Sequence, residues 1–361
     1  MRRREFLRSS AVLSAGLALP NTSGLLEPNQ PADWRTFEIT TQVEVLKPSG
    51  TTRIWLPAAL IVDTPFQRTQ ANTFRAEGGT ARLVASPVDA LGIVAATFPK
   101  GAAPRLTLTS RVSTRPYAVD LFAPTKAVAA DRSVLEHCLL PTKLIPTDGI
   151  VKATAARITS RASGDAAKAR AIYDWIVDNT FRNPLTRGCG IGDIRFMLES
   201  GDLGGKCADL NALFVGLARA SGLPARDAYG IRVAPSALGY KSLGANSETV
   251  TKSQHCRADV FLAEYGWVPV DPADVRKVVL EEPPGNRPLD DPMVASARAR
   301  LFGSWEMNWI AYNFAHDVAL PGSSGPPLGF LMYPQAETDQ GRLDSLDPDA
   351  FKYEITAREI V

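Results

Sequence analysis

The chain has 361 residues, which is long enough for two or three domains and a large hydrophobic core. Its hydrophobic and charged fractions, 45% and 22%, are typical of a soluble globular protein, and 40 lysines and arginines nearly balance 38 acidic residues. No long basic run occurs beyond the first residues, so the composition does not suggest a nucleic-acid-binding protein.

Residues 1–24 are typical of an export signal. Arg-Arg-Glu-Phe-Leu-Arg at residues 3–8 matches the twin-arginine pattern, and a weakly apolar run follows at residues 11–19. That run is too short to span a bilayer and no cysteine follows it, so we expect no stable membrane anchor. The alternative is a short amphipathic start without a targeting role. The prediction is a bacterial periplasmic or secreted protein, exported by the twin-arginine machinery, with residues 1–33 as signal peptide and linker.

Residues 34–116 predict a small N-terminal β-sandwich. Apolar and polar residues alternate almost strictly at residues 105–112, and shorter strand-like runs occur at residues 36–45 and 51–56. Glycine and proline separate these runs, as in sandwich domains. No motif here carries chemistry, so we expect a packing or recognition role.

Residues 117–280 have a mixed pattern and predict an α+β core. A helix is expected from Asp165 to Thr180, because Ala171, Ile172 and Ile176 share one face. Residues 186–205 are rich in glycine but lack the Lys-Ser/Thr spacing of a phosphate-binding loop. We therefore expect this segment to form one wall of a cleft.

The sequence around Cys207 predicts a cysteine at the start of a helix. Glycines precede it at positions 204 and 205, and apolar residues between 210 and 217 recur at three- and four-residue spacing. Unpaired N–H groups and the positive end of the helix dipole favour the thiolate, which is the nucleophilic form. On placement alone, a small buried cysteine with a packing role is an equal alternative.

Residues 234–253 lack periodicity and predict a long loop just before the hairpin described next. Such a loop is either a substrate-binding lid or surface elaboration, and we slightly favour substrate contact. Tyr240 and Lys241 are its candidate substrate-binding residues.

A β-hairpin supplies partners for the cysteine. Residues 254–262 and 267–271 predict its strands, and residues 263–266 predict its turn. His255 begins one strand and Asp271 ends the other, so both lie at the same end of the ribbon. Together with Cys207 they provide a nucleophile, a general base and an orienting carboxylate.

The register of the hairpin leaves the choice of carboxylate open. If Leu262 pairs with Trp267, His255 stands opposite Asp274. A three- or five-residue loop, or a bulge, is expected to place His255 opposite Asp271 instead.

These motifs together resemble the transglutaminase-like, papain-related superfamily. They are Gly-Lys-Cys-Ala-Asp at 205–209, Ser-Gly-Leu-Pro-Ala-Arg at 221–226, His255, and Tyr-Gly-Trp-Val-Pro-Val-Asp-Pro at 265–272. The resemblance implies a papain/transglutaminase-like core, with the nucleophile helix packed on an antiparallel sheet, preceded by the N-terminal β domain. It assigns the nucleophile to Cys207, the base to His255 and the orienting carboxylate to Asp271, and it gives Asp274 no role.

The sequence departs from that family at one point. Many members carry an aromatic residue soon after the histidine, whereas Cys256 and Arg257 follow here. On a strand, Cys256 points to the opposite face from His255, so we expect no second nucleophile there.

The remaining cysteines allow two interpretations. With Cys207 free, Cys189 and Cys256 are the best-placed disulfide pair in an oxidising compartment, and three reduced, buried thiols (with Cys138) are equally expected. A zinc site using Cys189, Cys207, Cys256 and His255 is disfavoured, because no C-x₂-C pair is present. No EF-hand spacing implies calcium, and no cofactor is expected.

Residues 281–361 predict a proline-rich linker followed by a C-terminal β extension. Apolar stretches at residues 305–314, 328–333 and 351–356 are expected to be strands that close or extend the core. His137 and His316 are expected to be structural or surface residues, since no nucleophile motif accompanies either.

The sequence thus predicts a cysteine enzyme that forms a thioester at an amide or peptide carbonyl, with a protein or peptide as substrate. Transfer of the acyl group to water makes a protease or amidase, which we favour, and transfer to an amine makes a cross-linking enzyme. The alternative is a non-catalytic binding or assembly module of the same fold.

Overall fold

The computed structural model of the protein describes residues 33–124, 130–349 and 351–360, so the predicted signal segment lies outside the described residues. Within those ranges, no helix is both long and apolar enough to cross a membrane. The strands are β1 (Arg35–Val45), β2 (Thr52–Pro57), β3 (Gln67–Glu77), β4 (Thr80–Ser86), β5 (Leu91–Phe98), β6 (Arg105–Thr114), β7 (Tyr117–Ala118), β8 (Phe181–Arg182), β9 (Gly204–Gly205), β10 (Ala225–Arg232), β11 (Gln254–Leu262), β12 (Gly266–Val270), β13 (Ser304–Trp305), β14 (Trp309–Asn313), β15 (His316–Val318), β16 (Leu328–Phe330), β17 (Gln335–Thr338), β18 (Gly341–Arg342) and β19 (Phe351–Ile360). The helices are α1 (Arg132–His137), α2 (Gly149–Thr159), α3 (Asp165–Asn179), α4 (Ile194–Ser200), α5 (Cys207–Ala220), α6 (Pro272–Glu281) and α7 (Pro292–Arg300).

Two antiparallel sheets form a β-sandwich. The strand order is β19-β1-β6-β3 in one sheet and β18-β17-β2-β5-β4 in the other. Alternate residues of β6 point inward, so Leu106 and Leu108 pack with Val43 from the same sheet and with Ile54 and Phe98 from the other. The predicted β-sandwich ahead of the core is thereby confirmed.

Strands from the C-terminal part of the chain complete this sandwich. β19 pairs with β1 along its whole length, from Thr36 opposite Ile360 to Val45 opposite Phe351, and β17 pairs with β2. Residues 351–356 do form the predicted strand, but that strand joins the sandwich and not the core sheet, because Phe351 packs between the sandwich sheets.

A four-stranded antiparallel sheet carries α5 on one face. Its strand order is β12-β11-β10-β14, and every residue of α5 from Cys207 to Arg219 is buried. The sheet covers one side of the helix, while α2, α3 and α6 pack against the rest. The predicted helix on an antiparallel sheet is confirmed, and Gly222, with a φ of +81°, ends it as a left-handed residue.

The opposite face of the core sheet packs toward the sandwich. Trp305 and Trp309 are fully buried there, beside Leu60 and Phe66 from the N-terminal region. The Gln67 side-chain amide exchanges two hydrogen bonds with the backbone of Ala311, at 2.9 and 2.7 Å. This interface fixes the core sheet against the β-sandwich.

Several short helices were not predicted. α4 lies inside the glycine-rich segment 186–205, where Asp193 accepts a hydrogen bond from the Phe196 N–H at 3.0 Å and Gly201 follows the last turn. α7 lies in the predicted linker. These helices have seven and nine residues, too few to show a clear apolar period between flanking glycines and prolines.

Candidate active site

Cys207 is the first residue of α5 and is only 4% exposed. The carboxylate of Asp209 organises this helix start by accepting hydrogen bonds at 2.9 Å from the backbone N–H groups of Lys206, Ile191 and Gly192. The N–H of Cys207 itself donates to no described backbone group. The nucleophile candidate therefore stands beside an unpaired donor at the positive end of the helix.

His255 lies near the start of β11 and is 4% exposed. Its Nε2 is 2.7 Å from Asp271 Oδ2 and 3.4 Å from Asp274 Oδ2. The indole N–H of Trp309 donates to the His255 carbonyl at 2.9 Å, which fixes the backbone at this position. With Nε2 committed to the carboxylates, Nδ1 is the ring nitrogen available to the Cys207 thiol.

The hairpin register differs from both versions considered from the sequence. Leu262 pairs with Gly266 across the three-residue loop 263–265, not with Trp267. Pairing then stops at Ala258 opposite Val270, so His255 has no partner across the ribbon. The expectation that a three-residue loop would pair His255 with Asp271 was wrong, because the register that pairs Leu262 with Gly266 leads from His255 to Ala273, and β12 ends at Val270 before that level.

Helix geometry, and not strand pairing, brings the carboxylates to His255. Asp271 is the N-cap of α6 and accepts from the Asp274 N–H at 3.0 Å, while Pro272 fills the first helical position. A cap residue and the third helical residue lie on the same side of a helix start. Both carboxylates therefore face the imidazole. Asp274 contacts His255, a contact that the family resemblance did not predict.

Two buried arginines balance this pair of acids. Arg232 donates to both oxygens of Asp274, at 2.6 and 2.7 Å, and Arg257 Nε lies 3.7 Å from Asp271 Oδ2. Burial raises the pKa of Asp274, but Arg232 and then His255 outweigh it and hold that pKa well below its usual range. Burial and the charge of Asp274 raise the pKa of Asp271.

His255 is held toward its protonated form. Burial, the largest influence, and Arg232 lower its pKa, but Asp274 and Asp271 outweigh them and raise it to about 9.

The ligand atoms of His255, Asp271 and Asp274 lie within 4.8 Å of one another, a spacing that a metal ion could use. The Arg232 guanidinium already donates hydrogen bonds to both oxygens of Asp274. The imidazole and the two carboxylates therefore form an ion-pair network with this arginine.

The thiol of Cys207 is held toward the thiolate. A hydrogen bond with the Cys189 thiol is the largest cause of a pKa well below the usual thiol range; Cys256 and His255 act in the same direction and outweigh burial. Cys256 points away from the face of His255, as strand alternation predicts. The face that it occupies carries α5, which brings Cys256 close to Cys207. All four cysteines are buried free thiols.

A cleft of about 750 Å³ opens over Cys207 and His255. The predicted glycine-rich wall contributes Arg187, Gly188 and Cys189. The facing wall comes from the C-terminal part of the chain, which supplies Tyr333, Leu346, Pro348, Phe351 and Tyr353. The cleft therefore lies between the core and the last strands of the sandwich.

The structure places Tyr240 and Lys241 away from this cleft. Tyr240 is buried and its hydroxyl donates to the Met293 carbonyl at 3.3 Å, while the Lys241 N–H donates to Glu282 at 3.0 Å. The predicted loop reaches the cleft through other residues, namely Gly244 and residues 251–253.

Three polar residues of the site were missed from the sequence. Asn211, fully buried one turn after Cys207, donates to the Cys256 carbonyl at 2.7 Å and to Asp271 Oδ1 at 3.4 Å. Arg232 anchors Asp274. The Gln254 side-chain Nε2 is buried at the cleft without a hydrogen-bond partner in the described part of the chain. A polar residue interrupting the apolar face of α5 was a usable signal for Asn211; nothing local marked the other two.

His137 and His316 lie in a different place. Both line a separate cavity of about 210 Å³ with Cys138, and His316 Nε2 is 3.2 Å from Asp227. Neither lines the cleft at Cys207.

Comparisons with known proteins agree with the geometry of the site. Residues 152–272 match the sequence model of the transglutaminase-like superfamily. A protein of Haemophilus influenzae, described as uncharacterized, is 34% identical over 371 residues, covering 97% of this chain and 98% of its own. The chain belongs to the transglutaminase-like superfamily.

A solved structure with a TM-score above 0.5 agrees with this chain at the level of fold. The "putative cysteine protease" from Cytophaga hutchinsonii aligns with this transglutaminase-like chain over 91% of its residues and 99% of the other, with a TM-score of 0.51 and 15% identity. The periplasmic domain of TgpA from Pseudomonas aeruginosa aligns over 69% and 86% of the two chains, with a TM-score of 0.35 and 17% identity.

Proposed function

We propose that the protein is a cysteine enzyme that attacks an amide or peptide carbonyl through Cys207, with His255 as acid and base and Asp271 as the carboxylate that orients it. One observation carries this proposal. The buried thiol at the start of α5 has a lowered pKa and lies beside a histidine whose Nε2 is 2.7 Å from Asp271. That arrangement favours a thiolate–imidazolium pair, which is the reactive state of a cysteine nucleophile.

The chemistry proceeds in two steps. The Cys207 thiolate adds to the carbonyl carbon, and the imidazolium of His255 protonates the departing amine as the C–N bond breaks, which leaves a thioester. Neutral His255 then takes a proton from water, the resulting hydroxide attacks the thioester, and the thiolate leaves with a free carboxylic acid as product. Asp271 keeps the imidazole oriented and its charge compensated throughout.

Two donors are proposed to stabilise the oxyanion. The Cys207 N–H begins a helix and donates to no described backbone group, and the buried Gln254 Nε2 at the cleft has no partner in the described ranges. A buried donor without an acceptor is costly. An oxygen of the substrate would satisfy both donors, and it would do so most strongly when negative charge develops on it.

Hydrolysis is favoured over transfer to an amine. Lys206 and Lys252 line the cleft, where no Asp or Glu lies among its lining residues. A protonated amine acceptor would be repelled by these charges, whereas water would not. We therefore place the protein among peptidases and amidases.

The test is incubation with a peptide library, with and without an added amine, followed by mass spectrometry of products and protein. We expect hydrolysed peptides, a transient acyl adduct on Cys207, and neither in Cys207→Ala. Predominant transfer to the amine would contradict the preference for hydrolysis. Absence of both adduct and product would instead favour a non-catalytic binding module.

We also propose export by the twin-arginine route, on the strength of the motif at residues 3–8. Replacing the arginine pair by lysines, as Arg3→Lys with Arg4→Lys, should leave the protein in the cytoplasm, as measured by fractionation of expressing cells. Unchanged export of that variant would contradict the proposed route.

A further inference from the structure

The charges of the cleft point to the class of substrate. Seven lysines and arginines and no aspartate or glutamate occur among the 21 residues that line it. The whole chain has 40 basic and 38 acidic residues, so a basic composition does not explain this clustering. We infer that the cleft binds an acidic peptide, with carboxylates close to the amide that Cys207 attacks; this inference rests on the proposed function.

Four of the seven cations already have protein partners. Arg232 is paired with Asp274, and Arg187 lies 2.6 Å from Asp344. Arg182 and Lys277 share Glu281. These cations hold the walls of the cleft together and are largely neutralised by three carboxylates.

The other three cations are lysines, and none has a carboxylate within 4.0 Å among the residues that the structure describes. Lys206 is half-buried, whereas Lys252 and Lys352 are exposed. Positive charge in a cleft without nearby anions raises the local potential and attracts anionic ligands. Glu44 of β1 stands opposite Lys352, so Lys206 and Lys252 are the groups most available to a substrate.

Their positions surround the reacting atoms. Lys206 directly precedes Cys207, and Lys252 lies three residues before His255, so both belong to the segments that carry the thiol and the imidazole. Lys352 comes from β19 on the facing wall. A chain lying across Cys207 would therefore meet positive charge from more than one side.

Peptide carboxylates are the anions that we assign to these cations. Planar, bidentate recognition of phosphate favours arginine, and each arginine of the cleft is already paired with a carboxylate of the protein. The free groups are ammonium ions, which act as compact point charges. An enzyme that attacks amides meets such anions as the acidic side chains of its peptide substrate.

The test uses two matched mixtures of acetylated hexapeptide amides, X-Glu-X-X-Glu-X and X-Gln-X-X-Gln-X, with X drawn from Ala, Leu, Ser and Tyr. We expect kcat/KM at least about tenfold higher for the glutamate mixture at low salt, with the difference reduced at high salt. Lys206→Gln and Lys252→Gln should each lower the ratio of kcat/KM for the glutamate mixture to kcat/KM for the glutamine mixture about three- to tenfold. Lys100→Gln, an exposed lysine of the sandwich that does not line the cleft, is the matched control.

Binding is measured separately so that the two proposals can fail independently. Fluorescein-labelled forms of both mixtures are titrated against Cys207→Ala, and an excess of inorganic phosphate or of a single-stranded oligonucleotide is added as competitor. Tighter binding of the glutamate mixture supports the inference even when turnover is absent, in which case only the proposed function fails.

Equal binding of the two mixtures overturns the inference while leaving Cys207-dependent cleavage intact. Displacement by phosphate or oligonucleotide at lower concentration than by unlabelled glutamate peptide also overturns it, since the cleft would then be a phosphate or polyanion site. An equal loss in Lys100→Gln would show a general charge effect and would contradict the assigned roles of Lys206 and Lys252.

Discussion

Two cavities of this protein are each lined by a cysteine and a histidine, yet the surroundings of the two cysteines differ. The cleft at Cys207 has His255, backed by Asp271, and the smaller cavity has Cys138 with His316 and Asp317. Residue types alone would make both of them candidate sites.

The difference lies in how each thiol is surrounded. Cys207 begins a long helix and contacts two other thiols and His255, and its pKa is well below the usual range. Cys138 is the C-cap of the short helix α1, and burial, the largest cause, raises its pKa to about 11. Helix direction and local donors, and not composition, therefore distinguish the two thiols and favour the thiolate at Cys207.

The sharpest test of this comparison removes each thiol in turn. Cys207→Ala should lower kcat/KM by at least about 10⁴-fold, because the thiol that forms the proposed thioester is removed. Cys138→Ala should retain near-normal activity, and circular dichroism should show that both variants are folded. Comparable losses in the two variants would mean that the distinction between the cavities is wrong.

Variants of the two carboxylates beside His255 should distinguish an effect on catalysis from an effect on stability. Asp271→Asn should reduce kcat by up to about 10⁴-fold, since the amide no longer balances the imidazolium. Asp274→Asn should act mainly on the free energy of unfolding, lowering it by about 3 kcal/mol, because Arg232 is left buried with half of its partner. Urea unfolding and steady-state kinetics on both variants measure the two effects. A greater kinetic loss in Asp274→Asn would assign the orienting role to that residue.

Gln254→Met tests whether the cleft has an oxyanion donor beyond the nucleophile's own N–H. The change keeps the length of the side chain and removes the amide, so kcat should fall about 10- to 10³-fold with little change in KM. Gln340→Met, at an exposed residue of the turn after β17 that does not line the cleft, is the control for activity. A rise in KM without a fall in kcat would indicate substrate binding only.

The pH dependence should distinguish the two cysteines directly. The pKa of His255 is raised to about 9, so the imidazolium persists through neutral pH and is lost as pH rises through about 9. Hydrolysis should therefore decline above that pH, and Cys207 should react with iodoacetamide at mildly acidic pH, where Cys138 should not. Asp274→Asn should move the alkaline decline to lower pH, because one of the charges that raise the pKa is removed. A decline of hydrolysis near pH 6.5 in the parent protein would show that Asp271 and Asp274 do not raise the pKa of His255.

Cys189→Ala should have the smallest effect. It removes the largest contribution to the lowered pKa of Cys207, so the alkylation profile should shift to higher pH and turnover at neutral pH should fall about three- to tenfold. Cys189→Ser, which keeps a donor, should restore most of the difference. An unchanged profile in the alanine variant would mean that the Cys189 thiol does not donate to Cys207.

The sequence predicted those parts of the fold that have clear periodic or motif signals. The apolar repeat of α5, the strict alternation in β6 and the glycine-flanked hairpin each correspond to an element of the structure. The hairpin register was not predictable, because it depends on the number of residues in the turn. The extent of pairing depends on where β12 ends, and Pro272 begins α6 two residues after Val270. The Asp-Pro-x-Asp pattern at residues 271–274 is a helix-start signal, and it would have placed both carboxylates beside His255.

Long-range charge pairing could not be obtained from the sequence in the same way. Arg232 and Asp274 are 42 residues apart, and nothing local to either identifies the other. The proximity of Cys189 to Cys207 likewise depends on how the segment containing α4 folds over the start of α5.

The pairing of β19 with β1 has a consequence for biosynthesis. Arg35 and Glu359, joined by a side-chain hydrogen bond at 2.8 Å, are separated by 324 positions. A ribosome must therefore release nearly all of the described chain before the first sheet can acquire its edge strand, and contacts of such large sequence separation form slowly. Because Phe351 and Tyr353 of that strand also line the cleft, the cleft acquires this wall only at the end of folding. The nascent chain thus contains Cys207 long before the cleft around it is complete.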